Sequence, residues 1–246
     1  AQELAYQAME HPDRIGSARL AREALRLDPE CVDALATLAA VTARSEDELV
    51  ARLQEAVATG ERALGAGFFA ENRGRFWGIL PTRPYMRTRA SLAEVLWETD
   101  RLAEAIGHYE ALLELNPNDN QGNRDPLLGC YLEAGDLEGA RRLLTDYAGA
   151  GWAVFAWGRL LERYLAGDRA GAAAALEEAR TKNRHVEAFL TAARPVPEDR
   201  HTYYQPGRES EAVRAADFLQ GAWQRHPDAV AWLKTAKPSA AAPGGG

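Results

Sequence analysis

The sequence predicts an all-α fold: a right-handed helical-repeat solenoid of about five helical hairpins with a C-terminal helical cap. Three observations carry this. Apolar residues recur at helical spacing along most of the chain. The helical stretches come in pairs, and a small residue sits early in each second helix, at Ser17, Ala51, Ala105, Ala140 and Ala172, with gaps of 34, 54, 35 and 32 residues. Prolines such as Pro29 and Pro117 fall where one pair ends and the next begins, which suits a residue that ends one helix and opens another.

The first pair places Leu4, Ala5 and Ala8 on one face, followed by "ARLAREALRLDP" at 18–29 as its second helix. Residues 31–64 give the second pair, with an unusually long second helix, "EDELVARLQEAVATGERALG", and Ala51 at the crossing. The third, "RASLAEVLWETDRLAEAIGHYEALLELNPND" at 89–119, aligns Leu92, Ala93 and Leu96 against Ala105, Tyr109 and Leu112. The fourth, at 124–147, aligns Leu127, Leu128 and Tyr131 against Ala140, Leu144 and Tyr147. The fifth, at 156–183, turns around Ala172. The gap of 54 is one repeat plus an irregular insertion of 20 residues, at about 65–84. After Asn183 the period fades into a short helix, a proline-rich polar loop and two further helices, a cap over about 185–235 expected to cover the last apolar face. One domain over 1–235 and a flexible tail over 236–246 complete the expected organisation.

The third pair carries the features of a tetratricopeptide repeat: small residues where two helices cross closely, an aromatic at Tyr109, and the closing Asn116-Pro117. In order along the chain, "FWGILPTRPYMRTRASLAEVLWE", "LLELNPNDNQGNR", "KNRHVEAFL" and "ESEAVRAADFLQGAW" resemble the bacterial tetratricopeptide proteins related to the suppressor-of-tumorigenicity-seven family. The resemblance implies an all-helical repeat fold and an interaction role. It brings no enzyme activity or catalytic residue. The animal members' membrane segments have no counterpart in this sequence.

A formal net charge of −7 argues against a general nucleic-acid binder, which needs a broad basic face. No apolar run approaches the ~20 residues of a membrane span, and no secretory signal is visible. Cys31 and Cys130 each lie in apolar helical pattern with no second cysteine nearby, which reads as two structural thiols in a reducing, cytoplasmic setting. The five histidines are scattered, and no HExxH, GxSxG or phosphate-loop pattern occurs, so no enzyme, cofactor or metal is expected. The two "HPD" tripeptides, at 11–13 and 226–228, lack the flanking pattern of a J-domain and sit where a helix ends and another starts. The Asn-rich "NPNDNQGN" lacks the spaced acids of a calcium loop and reads as turn and capping chemistry.

The functional expectation is a scaffold or adaptor holding a protein or peptide segment in a concave groove. Arg83, Arg87, Ser91, Glu94, Trp97 and Asp125 are the expected partner-facing residues, Arg87 opening the groove face of its helix and Ser91, Glu94 and Trp97 continuing it at helical spacing. The alternative is a phosphorylated, acidic or nucleic-acid ligand on Arg73, Arg75, Arg83, Arg87 and Arg89, interleaved with Phe76, Trp77 and Tyr85. Against both stands the reading that the insertion's aromatics fill space and its arginines pair with acids on neighbouring helices.

Overall fold

The computed structural model describes residues 1–149, 151–197 and 204–236. The remainder, which includes residues 198–203 of the proline-rich polar loop and nearly all of the expected tail, lies outside the described residues. Every regular element among the described residues is helical. The contacts divide into two compact units, Ala1–Asn123 and Arg124–Gly246, where the sequence suggested one domain over 1–235.

The first unit contains α1 (Gln2–Glu10), α2 (Arg14–Leu27), α3 (Val32–Thr42), α4 (Glu46–Leu64), α5 (Ala66–Asn72), two 3-10 turns (Phe76–Gly78 and Leu80–Thr82), α6 (Arg83–Glu98) and α7 (Leu102–Leu115). The pairs α1–α2, α3–α4 and α6–α7 form hairpins, and the first helix of each later hairpin packs on both helices of the one before. Side chains start several helices where the sequence placed a boundary. Asp13, the last residue of the first "HPD", accepts a hydrogen bond from the Gly16 amide at 2.8 Å and caps α2. Ser45 does the same for α4 through the Glu48 amide at 3.2 Å.

The small residue at each crossing is the fourth residue after the cap. Ser17, Ala105, Ala140 and Ala172 all occupy this position and are buried. The second hairpin corrects the sequence reading: Ala51 is exposed, while Val50 and Leu53 are buried. Because α4 starts after Ser45, its fourth position belongs to Leu49.

The insertion folds as a packed plug. Phe76 is fully buried, with Phe69 at 4.9 Å, Phe68 at 5.7 Å and Tyr85 at 6.4 Å between ring centroids. The buried Thr82 hydroxyl faces the carbonyls of Phe76 and Ile79, at 2.5 and 2.8 Å, and holds the two turns together.

The second unit contains α8 (Arg124–Ala134), α9 (Leu137–Asp146), α10 (Ala153–Leu165), α11 (Arg169–Asn183), α12 (Val186–Leu190), α13 (Glu209–Gln224) and α14 (Pro227–Thr235). The pairs α8–α9 and α10–α11 are the fourth and fifth hairpins. The C-terminal helices differ from the expected end cap. α13 lies on α8 and α10, the first helices of both hairpins, with Ala212, Ala215, Ala216, Leu219, Ala222 and Trp223 buried. Its alanines let two helix backbones approach closely.

A buried carboxylate fixes α13. Glu211, 4% exposed, accepts hydrogen bonds from the Ala153 amide at the start of α10 (3.1 Å), the Gly207 amide (2.7 Å) and the Asn183 side chain (3.0 Å). The negative charge sits at a helix N-terminus, where it is favoured. Asn183 also accepts from the Trp157 indole through its backbone carbonyl at 3.1 Å.

Candidate functional site

The arginines of residues 73–89 are engaged within the first unit. Arg73 pairs with Glu114 on α7. Arg75 donates to the Glu71 carbonyl at 2.8 Å. Arg83 donates to the Trp77 carbonyl at 3.1 Å and lies 4.7 Å over the Trp77 ring. Arg89 bonds the Tyr85 hydroxyl and lies 3.5 Å from Glu61, and Tyr85 donates to Glu61 at 3.1 Å. Burial pushes the Tyr85 hydroxyl up to about 12. These contacts have the form of the structural reading: Arg73 ties the insertion to α7, Arg75 and Arg83 bond within it, and Arg89 ties α6 to α4.

Arg87 differs because its partner lies on another hairpin's first helix. Nη2 meets Asp33 Oδ2 at 2.5 Å and Nε meets Oδ1 at 3.3 Å. Gln2 on α1 donates to the same Oδ2 at 2.6 Å. The Asp33 side chain is 2% exposed and that of Arg87 29%, so the carboxylate is the floor of the arrangement and the guanidinium reaches toward solvent. Burial alone would lower the Arg87 pKa, but the Asp33 carboxylate outweighs it and holds the guanidinium above its ordinary value. Arg87 also stands 5.7 Å over Tyr6, joining the first helices of three hairpins at one point.

Around this point opens a cleft of about 420 Å³, within the size range of ligand pockets. Met9, Ala36, Ala40, Leu49, Leu53 and Val95 give it apolar walls, and Asp33, Thr37, Arg87, Thr88, Ser91, Glu94 and Glu98 supply polar groups. Leu49, the large residue where other hairpins carry alanine or serine, forms part of the wall. Tyr6 and Met9 are 41% and 48% exposed.

Of the six expected partner-facing residues, the structure gathers Arg87, Ser91 and Glu94 into this cleft. Arg83 is held by Trp77 in the insertion, and the half-buried Trp97 is outside the cleft lining. Asp125 is 6% exposed and faces the chain's own α13, where Arg214 reaches it at 3.1 Å. Asp33, Thr88 and Glu98 complete the site unannounced by the sequence reading. Asp33 did carry a signal: it is the lone charge in the apolar helix "VDALATLAAVT".

Among the described residues no group of histidine, cysteine and acidic side chains could hold a metal ion. No helix among them is long and apolar enough to cross a membrane. Cys31 and Cys130 are free and buried, and burial raises both thiols above their ordinary value, which keeps them in the unreactive thiol form. Compared with known proteins, the chain matches no family model and no curated protein.

Proposed function

We propose that this chain is a non-enzymatic protein–protein interaction scaffold of tetratricopeptide-repeat type, which holds a partner segment against the first helices α1, α3 and α6 of its first unit. The observation that carries the reading is the cleft itself: apolar walls, a fixed Asp33–Arg87 pair in its floor, and exposed Tyr6 and Met9 nearby. That is the composition of a docking surface, with large amphipathic side chains around a desolvated centre. The hairpin packing and the crossing residues Ser17, Ala105, Ala140 and Ala172 support the repeat class. So does the contact between Asn183 and Glu211, which come from two of the motifs that resemble the suppressor-of-tumorigenicity-seven family and meet in space. Two free buried thiols favour a cytoplasmic setting.

An anionic ligand on Arg73–Arg89 has less support, because it would have to displace the internal partners of all five arginines. The test is site-specific photocrosslinking in native-cell extract with purified Ser91→Cys protein carrying a benzophenone maleimide on the new thiol, with Arg22→Cys on the exposed face of α2, labelled in the same way, as reference. A discrete adduct from position 91 alone is the expected result. The same adducts from both positions, or none, would remove the reading.

A further inference from the structure

We propose, resting on that groove reading, that the partner anchors itself in the cleft with a tyrosine, its ring against Leu49, Leu53 and Val95 and its hydroxyl at Thr88. The first ground is that the charges of the cleft are already served. The Asp33 carboxylate accepts from Arg87 and from Gln2, and Glu94 has a partner of its own. Ser91, Glu94 and Glu98 stand exposed at the rim, where water solvates them. A charged side chain entering the cleft would lose its hydration without finding a free counter-charge in the floor. The anchor is therefore neutral.

The second ground is the apolar wall. Leu53 is buried and Leu49 and Val95 are half-buried, so an apolar body laid against them removes their remaining surface from water. Two neighbours favour a ring over an aliphatic chain. Met9 is 48% exposed at the cleft, and a thioether packs well against an aromatic edge. Arg87 already lies 5.7 Å over the Tyr6 ring, so an aromatic face suits this guanidinium.

The third ground is Thr88, which sets the tip of the anchor. It is 1% exposed, lines the same cleft, and its hydroxyl finds no hydrogen-bond partner among the described residues. A buried hydroxyl without a partner is costly. A side-chain amide brought to it would leave most of its own donors and acceptors unsatisfied, and tryptophan can only donate. A phenolic hydroxyl carries one polar atom on an apolar ring and pairs with Thr88 either as donor or as acceptor.

The test screens the full chain against a positional-scanning peptide library and titrates the selected peptide by fluorescence anisotropy against wild type, Thr88→Val and Ser91→Trp. Enrichment of tyrosine at one position is expected. Phenylalanine in place of that tyrosine should weaken binding to wild type about fivefold, the worth of one hydrogen bond, and leave binding to Thr88→Val unchanged. Thr88→Val removes a buried hydroxyl that has no partner, so its melting temperature should hold. The phenylalanine peptide on wild type tests the hydroxyl from the partner's side whatever Thr88→Val does to the fold. Enrichment of a charged residue, an aliphatic one or tryptophan in peptides that Ser91→Trp releases would overturn the tyrosine and leave the groove standing. So would no loss with phenylalanine, or an equal loss on wild type and Thr88→Val. If no peptide is enriched, or Ser91→Trp releases none, the groove reading falls and this inference with it.

Discussion

Arg87 closes on Asp33 with two hydrogen bonds, at 2.5 and 3.3 Å, and so ties α6 to α3 across 54 residues of chain. The insertion between them is bridged by this contact between first helices. Removing the guanidinium leaves a carboxylate that is 2% exposed with Gln2 as its remaining hydrogen-bond donor. Arg87→Ala is therefore expected to cost about 2–3 kcal/mol in urea unfolding, discounted for the partial exposure of the arginine. Asp33→Leu combined with Arg87→Met, which removes both charges, should recover most of that loss. A double variant no more stable than Arg87→Ala would show that the pair is not the origin of the effect.

The crossing positions give a paired test. Ala105 is fully buried at its crossing, so Ala105→Leu should cost ~1–3 kcal/mol by overpacking. Ala51 is exposed, so Ala51→Leu should stay within about 0.5 kcal/mol of wild type. Equal effects at the two positions would contradict the helix register described above.

The same pair of alanines shows how far the sequence could be read. Helical spacing and small crossing residues made the hairpins legible, because close helix packing leaves few alternatives at Ala105, Ala140 and Ala172. Ala51 misled because its interval of 34 from Ser17 looked like a repeat. The capping signal Ser45-x-x-Glu48 fixes the start of α4 and puts Leu49 at the crossing instead. The position of α13 was not legible: an alanine-rich apolar face fits the end of an array or its first-helix side equally well. Asp125 was misjudged for that reason, since nothing near it in sequence announces Arg214, 89 residues away. Among the site residues, Arg87, Ser91 and Glu94 followed from helical spacing, whereas Asp33 and Glu98 required the neighbouring hairpins to be seen.

Glu211 accepts from three separate segments, so its loss should be felt in all of them. Glu211→Ala leaves buried donors unsatisfied and is expected to destabilise by at least about 2 kcal/mol. Glu211→Gln, which keeps one acceptor oxygen, should fall between. Hydrogen exchange should report the change first at the start of α10 and at Gly207. A uniform change over the whole chain would argue against a local clamp.

His108 on α7 supplies the pH dependence. Burial lowers its pKa below the ordinary histidine value, Arg89 lowers it further, and Glu61 and Glu104 oppose the shift in part. A depressed histidine favours the neutral form in the native state. Its contribution to stability is present above the unfolded pKa of about 6.5 and is lost as pH falls through the lower folded value. Urea midpoints measured from pH 7.5 down to 5 should decline in wild type and decline less in His108→Gln. Parallel slopes would assign the acid sensitivity to other groups.

The seat of α13 also bears on the order in which the protein can form during synthesis. In the first unit each hairpin packs on the one before it, so α1 to α7 can consolidate as they emerge, using contacts close in sequence. The face of α8 and α10 must wait for a helix that ends at Gln224. Until then the side of α8 and α10 that α13 covers stands without its partner helix, and a nascent chain paused before α13 is made would hold the second unit in its most aggregation-prone form.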